Sequence, residues 1–236
     1  MIKMDNVSET SDLKSEVSRP YLNIKPKEKM SDQEAADFIS KEFEEAHEVA
    51  EFDTYDKLLS EVFNRSEDEI SIDFDFSDSI KNLLDNVHFD KWESMSETEK
   101  IGTIKELAKA VGEALGLDNM PTINIVDGDD SYGFYDPKNN TVTLNSKFFS
   151  DPVELVNTLT HELRHAYQHM RAELLETWED ALYKVNFDNY ISPVPLPGGG
   201  WLFFVDYFDQ YVEVDARAFV NKFTEAMYEC YDKKIL

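Results

Sequence analysis

Thr158-Leu-Thr-His161-Glu162-Leu-Arg-His165-Ala-Tyr-Gln168 is the stretch of this 236-residue chain that decides its fold. Residues four apart in a helix lie on one face, so the imidazoles of His161 and His165 can reach one metal ion. Glu162 is offset enough to act on a water molecule beside that ion without binding the ion itself. The spacing predicts a zinc site with His161 and His165 as ligands and Glu162 as general base.

The helix that carries this motif has a well-marked start. Asp151 can cap it, Pro152 suits the first helical position, and Glu154 places a negative charge where the helix dipole favours one. The pattern continues at least to Arg171. Projected at 100° per residue, it predicts an apolar stripe packed on a sheet, with the two histidines facing a later part of the chain. The stripe consists of Leu155, Leu159, Leu163, Ala166 and Met170.

Catalytic zinc needs a third protein ligand and an open position for water. The first candidate is Glu213, near the start of the last helical pattern. Asp215 is an alternative, either as the ligand or as the acceptor of the distal N–H of a zinc-bound imidazole. His169 lies a further turn along the helix, about 6 Å from His165, too far to share the ion comfortably. Arg171 stands where the longer HExxHxxGxxH pattern requires histidine, which argues against that pattern.

The rest of this half of the chain predicts an α+β fold. Apolar spacing over 101–115 predicts a helix that Gly116 ends. Alternating residues predict strands over 122–126, from Tyr132 onward and over 141–145, in a small sheet that is antiparallel at this edge. Further helical patterns follow the zinc motif as far as Val185, and again from Val212 to Tyr231.

Several segments between residues 90 and 236 resemble bacterial zincin-like metallopeptidases of the gluzincin type. These segments are Trp92-Glu-Ser-Met-Ser through Leu115-Gly, Tyr132-Gly-Phe-Tyr-Asp-Pro, Thr141-Val-Thr-Leu-Asn145, Thr158 to Gln168 and Gln210-Tyr-Val-Glu213-Val-Asp-Ala216. The downstream Glu with its following Ala and Phe is also similar to metallopeptidases that regulate phage and mobile-element immunity. The resemblance implies a Zn²⁺ ion on His161, His165 and Glu213, and hydrolysis of peptide bonds by thermolysin-like water attack, with Glu162 as general base.

The resemblance also implies where a substrate binds. The strand 141–145 occupies the place where such folds offer an edge to an extended peptide. The oxyanion of the reaction requires a second donor, and the candidates are Tyr167, Tyr211, Arg164 and Arg217. We expect the aromatic cluster between 201 and 211 to be core, with a substrate pocket as the alternative. This cluster consists of Trp201, Phe203, Phe204, Tyr207, Phe208 and Tyr211; Tyr132, Phe134 and Tyr135 are likewise expected to pack in the sheet.

Composition divides the chain into three parts. Residues 1–30 are polar and are expected to form a flexible arm. Residues 31–90 form an acidic helical region, with amphipathic spacing from 31 to about 64, that either packs on the following domain or acts as a prodomain. Residues 91–236 form the zincin-like metallopeptidase domain. About 22 carboxylates and about 5 Lys or Arg lie between residues 31 and 99, which makes this region either a solvated face or a docking surface for a basic protein partner.

Charge and cysteine content restrict the class of function. The chain has 49 acidic and 23 basic residues and a net charge of -26, so it repels phosphate backbones and we expect no nucleic-acid partner. The single cysteine, Cys230, excludes a multi-cysteine zinc site. The sequence has no leader-like apolar start and no run long enough to span a membrane, so we expect a cytoplasmic protein or one exported without a cleaved signal peptide.

Two functions of other classes remain open from the sequence. One is a non-catalytic zincin-fold binding protein that keeps zinc as a structural element. The other is an acidic interaction or immunity-type protein whose activity lies in residues 31–99. A peptide or protein substrate is the partner expected for the enzyme, and a basic protein is the partner expected for the acidic region.

Overall fold

The structure, a computed structural model, describes residues 57–63, 66–128, 131–196 and 200–232. It is a mixed α+β fold, as predicted, with a small three-stranded sheet. The helices are α1 (Asp78–Asn86), α2 (Phe89–Ser94), α3 (Glu97–Ala114), α4 (Pro152–Leu174), α5 (Trp178–Asp188), α6 (Phe204–Phe208) and α7 (Tyr211–Asp232). The strands are β1 (Thr122–Val126), β2 (Gly133–Asp136), β3 (Thr141–Asn145), β4 (Val194–Pro195) and β5 (Trp201–Leu202). Residues 57–62 are also helical, and short 3₁₀ turns span Glu67–Glu69 and Ser146–Phe148.

The expected arm, 1–30, and the predicted helical segment from 31 to 56 lie outside the described residues. Among the helices that the structure describes, none is both long and apolar enough to cross a membrane.

The predicted helices around the motif are confirmed. The Asp151 side chain accepts a hydrogen bond from the backbone N–H of Glu154 over 3.1 Å, and Pro152 begins α4. The helix ends where Leu175 adopts a left-handed conformation with φ of 53°, and α5 follows after a short break. In α3, Ser96 and Glu99 form a capping box, and Gly116 with φ of 70° ends the helix as its permissive backbone allows.

The sheet has the strand order β1-β3-β2. The antiparallel edge is confirmed for β2 and β3, whereas β1 pairs with β3 in parallel. The expectation that 141–145 offers a free edge is wrong, because β3 is paired on both sides. β3 takes the central position of the sheet because its residues Val142 and Leu144 are fully buried, whereas β1 is partly exposed. The outer strand on the antiparallel side is β2.

Helix α4 lies at the centre of the packing. Its apolar residues Leu155, Leu159 and Leu163 join the sheet, α3 and the apolar face of α7 in the main core. Met170 of the predicted stripe is only partly buried. A second cluster forms at the other end of α4, from α5, the start of α7 and the helical segment 57–62. Residues of α1 belong to the main core, so the described part of the acidic region packs on the rest of the chain.

Candidate metal centre

The structure brings together three of the residues that the sequence singled out. Helices α4 and α7 pack side by side, so that His161 and His165 face Glu213. The two Nε2 atoms lie 3.1 Å apart. Glu213 Oε2 lies 3.3 Å from His161 Nε2, and Oε1 lies 3.5 Å from His165 Nε2. These three side chains form the only metal-ligand group of this kind found among the described residues.

The chemistry and spacing of these donors fit zinc. Two imidazoles and one carboxylate form one of the ligand sets of catalytic zinc sites. Ligand atoms held at about 2.0–2.2 Å from one tetrahedral Zn²⁺ ion lie about 3.3–3.5 Å from one another. The separations of 3.1, 3.3 and 3.5 Å lie within a few tenths of an ångström of that range. The three donors can therefore bind one zinc ion without a backbone movement.

The electrostatics of the group favour a cation. Glu213 is 2% exposed, and burial alone would raise the pKa of its carboxyl, but the two facing imidazoles hold that pKa well below its usual range. Burial would lower the pKa of His165, and the Glu213 carboxylate reverses this and raises the pKa to about 9. A buried carboxylate that faces two imidazoles makes a site that a metal dication can occupy.

Glu162 lies beside the histidines on α4. Its side chain is 9% exposed, and no hydrogen bond to its carboxylate occurs within the described part of the chain. The negative charge of Glu162 helps to raise the pKa of both His165 and Tyr207. A carboxylate that is close to the metal-ligand group and not engaged by the protein is available to accept a proton from water.

A hydrogen-bond chain fixes the orientation of His165. The Gln168 amide N–H group donates to the Val212 carbonyl over 2.9 Å and to Asp215 Oδ2 over 2.6 Å. Its amide oxygen therefore faces His165 Nδ1, 2.8 Å away, and can only accept. His165 must carry a proton on Nδ1, so Nε2 is the ring nitrogen that can lose its proton and bind a metal ion.

Asp215 does not belong to the metal-ligand group. Arg164 donates to both of its oxygens, over 2.7 and 2.8 Å, and Asp215 is fully buried. Asp215 is therefore neither a metal ligand nor the direct acceptor of an imidazole N–H, the two alternatives predicted from the sequence. Gln168 lies between the Asp215 carboxylate and the imidazole of His165 and bonds to both. Local spacing does not predict this link, because Arg164 and Gln168 reach Asp215 only when α4 and α7 pack together.

Two tyrosines lie at the centre: Tyr207, which the sequence places in a cluster expected to be core or a substrate pocket, and Tyr190, which no sequence pattern indicates. The Tyr190 hydroxyl donates to Glu213 Oε1 over 2.7 Å, and the Tyr207 hydroxyl interacts with both Glu213 and Tyr190. The two rings are 6.2 Å apart. Burial, together with the charge of Glu213, raises the pKa of both phenols, so both keep their protons. Tyr190 lies in the segment after α5, where no spacing rule identifies a residue near the site.

The four candidates for the oxyanion donor are engaged elsewhere. Arg164 pairs with Asp215, and its guanidinium lies over the ring of Tyr167 at 4.5 Å. The Tyr211 hydroxyl donates to Glu179 over 3.1 Å, and Arg217 pairs with Glu67 over 2.6 Å. His169 stacks on Phe187 with ring centres 3.7 Å apart, where burial lowers its pKa to about 4. It does not belong to the metal-ligand group.

The sequence predicts that the aromatic residues between 201 and 211 are core. This prediction is wrong for three of them. Phe203, Phe204 and Phe208 are 39%, 47% and 39% exposed, whereas Tyr211 is buried. Tyr132 and Phe134, expected to pack in the sheet, are also largely exposed. The reason is local: α6 and the β4–β5 hairpin are too short to form a layer of their own. Together they present an exposed apolar surface, formed by Val194, Leu196, Leu202, Phe203, Phe204, Val205 and Phe208.

Comparisons with protein-family models, curated proteins and solved structures find no match for this chain.

Proposed function

We propose that this protein is a zinc-dependent peptidase of the zincin type. The observation that carries the proposal is the convergence of His161, His165 and Glu213 from two helices, with ligand atoms at the spacing that one zinc ion requires and Glu162 next to them. Zinc held there would polarise a scissile carbonyl and make water acidic enough to attack at neutral pH.

The residues of the chain take distinct roles. Glu162 accepts a proton from the attacking water and delivers it to the leaving amine, for which its unengaged carboxylate is suited. Gln168 keeps His165 in the tautomer that presents Nε2. We assign Tyr207 as the donor to the oxyanion, because it is the one of the two protonated phenols beside Glu213 on which the charge of Glu162 also acts.

Two surfaces near the centre suit a peptide. The exposed apolar surface contains Phe204, whose ring centre lies 6.3 Å from that of Tyr207, and the Tyr207 hydroxyl in turn interacts with Glu213. Strand β2 pairs only with β3 within the described residues, and its outer edge is the place we assign to main-chain pairing with substrate. Both features favour an extended peptide with large apolar side chains.

Replacing the general base tests the function. The Glu162→Gln variant is expected to bind one zinc ion per chain and to lose peptide hydrolysis by at least about 100-fold, the usual contribution of general base catalysis. Metal analysis of purified protein and turnover of a peptide library measure the two quantities. Glu173→Gln, an exposed change on the same helix, is the matched control and is expected to leave both unchanged.

Three results would contradict this assignment in different ways. If the wild-type protein holds no stoichiometric zinc, the proposed metal centre is wrong. If Glu162→Gln hydrolyses peptides as fast as the wild type, the proposed role of Glu162 is wrong. Zinc bound at one ion per chain without cleavage of any peptide by the wild type supports the non-catalytic binding protein instead.

A further inference from the structure

We propose that Tyr190 is a positioning residue that makes Glu213 bind the metal through Oε2 alone, and so keeps one position on the ion open. This inference rests on the zinc site proposed above. It concerns the part of the site that the HExxH motif does not specify, which is how many oxygens the third ligand supplies.

The two oxygens of Glu213 have different surroundings. Oε1 accepts the Tyr190 hydroxyl over 2.7 Å, a short hydrogen bond to a charged acceptor. Oε2 lies 3.3 Å from His161 Nε2 and Oε1 lies 3.5 Å from His165 Nε2, so these separations alone do not distinguish the two oxygens, whereas the Tyr190 hydrogen bond does. An oxygen that already accepts a strong hydrogen bond has one lone pair fewer and is a weaker donor to a cation. The geometry therefore assigns metal binding to Oε2.

The number of oxygens bound decides whether the site can react. Two imidazoles and one oxygen supply three protein ligands, which is the set that leaves a fourth position for water or substrate. If Glu213 bound through both oxygens, the protein would fill four positions, and water or substrate could bind only as a fifth ligand. By occupying Oε1, Tyr190 favours three protein ligands and a four-coordinate centre with one open position.

The hydroxyl of Tyr190 can be removed with little effect on packing. The residue is 40% exposed, so the phenylalanine variant keeps the contacts of the ring and loses only the hydrogen bond to Glu213. Tyr211 provides a matched control. It begins the same helix as Glu213, but its hydroxyl donates to Glu179 and not to the metal-ligand group.

Cobalt substitution tests the proposal with a readout other than activity. The full-length protein is loaded with one Co²⁺ ion per chain, whose visible absorption is stronger at four-coordinate than at five-coordinate sites. We expect the wild type and Tyr211→Phe to show the strong four-coordinate absorption. We expect Tyr190→Phe to show the weaker five-coordinate absorption and a zinc affinity lowered about tenfold, the lower end of the usual effect of a lost ligand-supporting hydrogen bond.

The outcomes separate this inference from the proposed function. Wild-type protein that binds neither Zn²⁺ nor Co²⁺ contradicts the zinc site itself. A Tyr190→Phe variant that binds Co²⁺ with the wild-type spectrum overturns the role of Tyr190 and leaves the zinc site intact. If Tyr190→Phe does not fold, Tyr190→Met, which also lacks the hydroxyl, is measured in its place with the same expected spectrum.

Discussion

Gln168 is the single residue on which the orientation of His165 depends. Its amide is fully buried and makes three hydrogen bonds, one to the imidazole, one to the Val212 carbonyl and one to Asp215. The amide cannot flip, because its oxygen would then face two acceptors, the Val212 carbonyl and the Asp215 carboxylate. The orientation of His165, a proposed metal ligand, is thus set by side chains that lie outside the metal-ligand group.

Substituting Gln168 by Met keeps most of the side-chain volume and removes all three hydrogen bonds. We expect the zinc affinity to fall about 10- to 100-fold, because His165 is then free to change its tautomer and ring orientation. We expect the free energy of unfolding, measured by urea denaturation in the presence of a chelator, to fall by about 1–3 kcal/mol. Competition with a chelating dye measures the affinity.

Gln210→Met is the control for this prediction. Gln210 is an equally buried amide that bonds to Asn186 and Ile191, with no contact to His165. It is expected to lose stability without a comparable loss of zinc affinity. Equal losses of zinc affinity in both variants would show that Gln168 acts only through general stability.

At the scale of elements, the sequence predicts α4 well because its signals are local. Asp151, Pro152 and the apolar spacing lie within the helix itself, and the motif histidines must then share a face. Strand order is different, because the burial of β3 between two neighbours depends on residues far along the chain. The same limit applies to Tyr190, which reaches Glu213 only through the path of the chain after α5.

The exposure of α6 could not be predicted from composition. An aromatic run such as Phe203 to Phe208 is typical of a core, and only the shortness of the element and the lack of a covering layer in the described structure leave it exposed. Phe203 also has a positive φ of 61°, which a bulky residue adopts only under constraint from its surroundings. An exposed apolar surface of this kind is typical of a binding site.

Replacing Phe204 by Ser tests this surface. We expect KM for peptides with large apolar side chains to rise about fivefold, which corresponds to about 1 kcal/mol for the loss of part of a buried aromatic contact. We expect kcat to stay the same, because the contact is equal in the ground and transition states. Steady-state kinetics on peptide pairs that differ in one apolar residue provide the measurement.

Phe89→Ser is the matched control for Phe204→Ser. Phe89 is 51% exposed and belongs to α2, outside the apolar surface. Neither change is expected to alter the free energy of unfolding by more than about 0.5 kcal/mol, since both side chains are on the surface. An unchanged KM for Phe204→Ser on every peptide pair would exclude this surface as part of the substrate site.

At the scale of the whole molecule, the centre lies where the two clusters of buried residues meet. The apolar face of α7 belongs to the main core from Phe219 onward, while Tyr211 and Val212 at its start belong to the second cluster. Glu213 follows Val212 directly. The acidic composition of residues 31–90 leaves open whether this region packs on the rest of the chain, because composition does not measure packing. The helical segment 57–62 inserts Leu58 and Val62 into the second cluster.

Leu58→Ala therefore tests whether the segment 57–62 supports the metal centre. Leu58 is 1% exposed, and its truncation is expected to lower the free energy of unfolding by about 2–5 kcal/mol. Because the cavity opens in the cluster that holds Val212, we also expect a several-fold weaker zinc affinity. Leu107→Ala in α3 removes an equally buried leucine from the main core and is expected to destabilise similarly while keeping the zinc affinity.

Comparing these two leucine variants separates local support from general stability. Both are measured by urea denaturation with a chelator present, and their zinc affinities are then compared at a temperature where each is fully folded. If Leu58→Ala keeps the wild-type zinc affinity, the segment 57–62 adds only stability. If the zinc affinity of Leu58→Ala falls while that of Leu107→Ala does not, the segment 57–62 helps to hold Glu213 against the two histidines. The metal-ligand group then depends on residues from both sides of position 90.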